Sequence, residues 1–130
     1  MFCRAYVLCL GAGYNIPTHD SLTKWGSFAR ATLAGLGIAT WKAFFDCDKF
    51  SLFFKVIAAV MHYAAWVVGR ATATDVAVGV LIYNVAGDAA RCHMINVVRT
   101  ERGIEPYEPQ QCRALDLTEI ERNSATFLLW

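Results

Sequence analysis

Cys47, His93 and Glu108 have the types and the order that nucleophilic chemistry would need. A cysteine attacks as its thiolate, which a helix N-terminus and a basic neighbour both favour. Cys47 follows Asp46 at the head of a long apolar run, so it is expected in the first helical turn, where backbone N–H groups would also hold an oxyanion. Asp46 and Asp48 work against the thiolate, because nearby negative charge raises a thiol pKa. A basic partner is therefore required. His93 is expected in a strand that packs against the helix start, whereas His19 falls in a loop and His62 about four turns along the same helix. Glu108 falls in the next expected strand, and a hairpin turning near Thr100–Gly103 lets the two strands face each other. Glu108 is thus the first choice to orient the His93 ring, with Asn96 and Gln110 behind it. Together they would form a nucleophile, base and orienter set.

The elements that must hold these groups follow from periodicity. Asp20 or Ser21 is expected to cap a helix through Lys24–Leu36, where Leu22, Trp25, Phe28, Ala29, Thr32, Leu33 and Leu36 recur at helical steps and Gly35 and Gly37 end the run. A short stretch, Ile38–Phe45, leads to Asp46, the natural N-cap of a helix reaching about Val68 and closed by Gly69-Arg70. Val- and Ile-rich runs then replace helical spacing. Asp75–Asn84 and Ala90–Arg99 read as strands, and Ile104–Gln110 as a third, held at an edge or bulge by Pro106 and Pro109. Leu115–Arg122 reads as a short helix capped by Asp116 or Thr118, and Ala125–Trp130 as a last strand. Helices first and antiparallel strands second make an α+β arrangement.

Composition bounds the rest. The chain has 130 residues, which predicts a single domain over 1–130, with an N-terminal segment at 1–15, a helical part at 16–70 and a sheet at 75–130. A net charge of +1 argues against a nucleic-acid partner, whose binding rests on neutralising phosphates. A hydrophobic share of 56% excludes general disorder and leaves apolar surface for a homo- or hetero-oligomeric partner. Five cysteines without a CxxC pair fit neither a zinc finger nor a secreted disulfide framework, and no metal or cofactor is expected. Gly11-Ala12-Gly13 lacks the context of a dinucleotide fingerprint. Phe50–Gly69 is long enough to cross a bilayer, but Lys55 and His62 interrupt it, so a buried central helix is expected and a membrane is argued against. Arg4 and the short run after it resemble a signal peptide only faintly, which favours a cytoplasmic location over secretion.

Phe45-Asp-Cys-Asp-Lys-Phe resembles the F-D-C-D-D-F-A pattern of papain-like, transglutaminase-like cysteine peptidase domains of bacteria and phages. His93-Met-Ile-Asn resembles their H-A-x-N strand, and Glu108-Pro109-Gln110 their E-P-Q strand, a form also found in the peptidase domain of a mushroom agglutinin. The resemblance runs from about Asn15 to Trp130. It implies a papain-like fold, with N-terminal helices and a Cys-bearing central helix packed on a C-terminal antiparallel sheet. It further implies a thiol hydrolase (a peptidase, amidase or acyl transferase) acting on a protein or peptide, with Cys47 as nucleophile, His93 as base and Glu108 as orienter. Such domains often place an oxyanion-hole Gln several residues before the Cys, whereas Trp41 and Lys42 occupy that region here, with Trp41 the candidate. Lys49, Ser51 and Met94 depart from the pattern, so the alternative is a catalytically degenerate structural or virion interaction protein on the same fold, with a virion-associated location.

Overall fold

The computed structural model describes residues 6–8, 14–38, 40, 45–125 and 127–129. In chain order its elements are β1 (Tyr6–Leu8), β2 (Tyr14–Asn15), α1 (His19–Gly35), α2 (Cys47–Val67), β3 (Asp75–Val76), β4 (Val78–Asn84), β5 (Cys92–Thr100), β6 (Gly103–Glu108), β7 (Arg113–Ala114), α3 (Glu119–Asn123) and β8 (Phe127–Leu129). This is an α+β fold, as the switch in periodicity predicts.

Both long helices form where expected, with different caps. Thr18, not Asp20 or Ser21, is the N-cap of α1: its backbone is extended and its hydroxyl accepts the Ser21 N–H at 3.2 Å. Asp20 falls inside the first turn, where its charge still suits the helix dipole. Helix α1 buries Leu22, Trp25, Gly26, Ala29 and Leu33. Asp46 is the N-cap of α2 but makes no capping bond, and its carboxylate instead accepts from Lys49 Nζ at 2.9 Å. Helix α2 buries Phe50, Ser51, Phe54, Ile57, Ala58 and His62. The expectation of a buried central helix is met on one face only. Leu52, Val56, Val60, Tyr63 and Val67 stand exposed, and although α2 is long and apolar enough to cross a membrane, only a third of its apolar window is buried.

The main sheet has the order β1-β8-β4-β5-β6-β7. It is antiparallel except where β1 lies parallel to β8, and β2 pairs in parallel with β3 in a separate ribbon. The sheet is therefore not built from the C-terminal part alone, since both ends of the chain meet at one edge. Residues Val78–Leu81 of β4 are buried in succession, the mark of a strand covered on both faces. On one face Leu22, Trp25, Ala29, Phe54, Ile57 and Ala58 of the helices pack on Val76, Val78, Val98 and Tyr107. On the other, Leu81, Tyr83, Ile95 and Val97 lie against Leu117 and Ala125. β6 is not an edge strand, because β7 pairs with Tyr107 and Glu108 beyond it. α3 is shorter than expected and is closed by a capping box between Thr118 and Glu121.

Candidate functional site

The β5–β6 hairpin sets the geometry of the candidate site. Its register pairs Asn96 with Tyr107 and Thr100 with Gly103, which brings Glu108 to the half of β5 that carries His93. His93 Nε2 lies 2.6 Å from Glu108 Oε2. A carboxylate only accepts, so the proton between them sits on Nε2 and Nδ1 is left as the ring's other nitrogen. Glu108 is buried, and its second oxygen accepts the Gln110 N–H at 3.0 Å. Both carboxylate oxygens are thus occupied, which fixes the carboxylate and through it the imidazole. Tyr83, opposite His93 in the β4–β5 register, meets the ring edge to face with centroids 5.8 Å apart.

Cys47 enters from the other layer. It is the first residue of α2 and is half-buried. The backbone of Met94, the residue after His93, acts on its thiol, and the Ser51 bond to the Met94 carbonyl shows that the helix start and this part of β5 meet. Two contacts fasten α2 next to it. Ser51 Oγ donates to the Met94 carbonyl at 3.0 Å, and Asn96 Nδ2 donates to the Ser51 carbonyl at 3.0 Å and the Gly79 carbonyl at 3.1 Å. Burial pushes the Cys47 thiol above its ordinary range, and the charges of Asp46 and Asp48 push the same way against the Met94 backbone. The resting cysteine is accordingly a neutral thiol, not the thiolate expected of a helix start with a basic partner.

His93 and Glu108 therefore come together, and Cys47 lies at the start of α2, beside the Met94 backbone. Asn96 does not join them, since its amide ties α2 to β4. Gln110 contributes through its backbone N–H, and Trp41 lies outside the described residues. Tyr83 and the Met94 backbone were not singled out from the sequence. The signal that could have found Tyr83 is the register, which sets the aromatic of β4 directly across from the strand histidine.

No family model and no curated protein matches the chain. Among solved structures the fold is similar to Polyporus squamosus lectin bound to the human-type influenza-binding epitope Neu5Aca2-6Galb1-4GlcNAc, with TM-score 0.66, 20% identity and coverage of 97% of this chain and 42% of that one. It is similar as well to a complex of PSL1a with E64, with TM-score 0.65, 21% identity and coverage of 98% and 43%. The chain spans less than half the length of either.

These findings correct the family assignment. The first of these neighbours is named a lectin, and no family model supports a papain-like or transglutaminase-like peptidase. The thiol hydrolase reading falls with it, as does the degenerate structural or virion protein offered as its alternative. A protein or peptide substrate finds no support in the neighbours, one of which is bound to a glycan epitope. The physical reason for the misreading is that three short motifs describe how a helix start meets a hairpin, and they do not determine whether the cysteine is charged.

Proposed function

We propose that this chain is a carbohydrate-binding domain. The observation that carries the proposal is the match of nearly the whole chain to a lectin bound to a sialylated glycan. The test is a binding screen of the purified chain against immobilised glycans that includes Neu5Aca2-6Galb1-4GlcNAc and its unsialylated parent. Retention on at least one of these, competed by the free sugar, is the expected result. Absence of retention across the whole panel would overturn it.

A second reading is favoured by the side chains themselves. Cys47, His93 and Glu108 form a thiol centre, with Glu108 holding the ring, His93 as the base and Cys47 as the nucleophile. It is supported by the 2.6 Å His93–Glu108 bond and by the Ser51–Met94 bond that holds the start of α2 against β5, and no peptide bond is assigned as its target. In this reading the thiol is neutral at rest and passes its proton to His93 as the sulfur attacks an electrophile. Its test is alkylation of Cys47 in the chain and in His93→Ala. A slower reaction in the variant at neutral pH supports the centre, and an equal rate removes it.

A further inference from the structure

A cleft of about 400 Å³ opens at the end of α2 remote from Cys47. One wall is aromatic. Tyr63 and Trp66 have ring centroids 5.5 Å apart with planes inclined at 48°, and both are exposed, at 62% and 43%. The rest of the lining includes polar groups: the hydroxyls of Thr72 and Thr74 lie 2.8 Å apart, and Asp75 lines the cleft beside them. His62 is buried and donates its Nε2–H to the Thr72 carbonyl at 3.1 Å, so this polar stretch is fixed to the helix that carries the aromatic wall.

We infer that this cleft binds a neutral pyranose, its C–H face stacked on Trp66 and Tyr63 and its hydroxyls bonded to Thr74 and Asp75. The inference rests on the carbohydrate reading above and gives that reading a location. A pyranose has one face of C–H groups and a rim of hydroxyls, and it needs a flat apolar surface beside polar groups with free bonding capacity. The lining supplies both: exposed rings for the face, and hydroxyl and carboxylate oxygens for the rim. The charge of the cleft selects among sugars. Asp75 is negative, and among the described residues no lysine or arginine lines the cleft, so a sugar carboxylate is repelled. A cationic ligand fits less well. The two rings make a corner and not an enclosing cage, and the Asp75 charge also acts on Lys55.

The test is a titration of the labelled chain followed by two-dimensional amide and indole NMR. The probes are Galb1-4GlcNAc, Neu5Aca2-6Galb1-4GlcNAc and choline. The inference expects saturable shifts of the Trp66 indole and of the Thr74 and Asp75 amides with the neutral disaccharide. The sialylated form should bind no more tightly, and choline should leave these signals in place. Trp66→Ala should weaken binding at least tenfold, read at the Thr74 and Asp75 amides. Because Trp66 is exposed, this variant keeps its fold, which the remaining amide signals verify. Sugar binding that shifts only signals near His93, or that persists unchanged in Trp66→Ala, overturns the cleft and leaves the carbohydrate reading standing. Binding of choline at these residues overturns it in favour of a cation site. Absence of binding by both sugars overturns the cleft, and absence of retention across the whole glycan panel overturns the carbohydrate reading with it.

Discussion

Replacing Asn96 with alanine should loosen the seam between the helical layer and the sheet. Asn96 is fully buried, and its amide donates to the Ser51 carbonyl of α2 and the Gly79 carbonyl of β4. The variant removes both donors, leaves those two buried carbonyls with one partner fewer and opens a small void. A lost bond to a buried partner costs about 1–3 kcal/mol. The carbonyls keep some partners and, among the described residues, the Asn96 Oδ1 is itself without one, so the net cost is about 2–4 kcal/mol. For a chain of this size that lowers Tm by roughly 8–15 °C. Urea unfolding followed by tryptophan fluorescence, with a thermal scan beside it, measures both quantities. Because Ser51 also holds the Met94 carbonyl, the variant should speed alkylation of Cys47 as the helix start loosens. An Asn96→Ala protein with unchanged Tm and unchanged Cys47 reactivity would refute the view that this amide joins the layers.

Three other outcomes follow from the same structure. Gly26→Ala places a Cβ 1.9 Å from Tyr107 Oη, on a ring held by stacking against Phe54. It should cost about 1–3 kcal/mol in urea unfolding, and an unchanged midpoint would count against close packing of α1 on β6. For Cys47 the folded pKa is raised, so the folded state holds the thiol proton more tightly than the unfolded chain does. Its contribution to stability is complete below the unfolded value of about 8.5 and is lost as pH rises through the folded value. Wild type should therefore lose more Tm than Cys47→Ala between about pH 7.5 and 9.5, and parallel curves would contradict the shift. Glu108→Ala should free the His93 ring, and its imidazole nitrogen signals should broaden or average in NMR, whereas unchanged signals would mean that Glu108 does not fix the ring.

Much of the frame was legible because local chemistry and tertiary demand agree. Helix α2 and strands β4 and β5 fall close to where apolar spacing places them, and the hairpin turn at Thr100–Gly103 brings His93 to Glu108 as its register requires. The misses have distinct causes. β1 and β2 are short strands from the N-terminal segment, and their pairing with β8 and β3 comes from distant sequence that no local pattern reveals. The exposed stripe of Leu52, Val56, Val60, Tyr63 and Val67 looks like core by residue type, and only the packing shows that α2 is covered on one side. The role of Asn96 was misplaced because alternation turns it from the His93 face toward α2, where it meets Ser51. The charge of Cys47 depends on burial and on Asp46 and Asp48 as much as on its helix, and a motif match weighs none of these.

The carbohydrate account is tested most directly by calorimetric titration of the purified chain with Galb1-4GlcNAc. The account predicts a saturable heat that corresponds to one site per chain and weakens in Trp66→Ala. No saturable heat at sugar concentrations up to about 10 mM, well above a millimolar Kd, would contradict it.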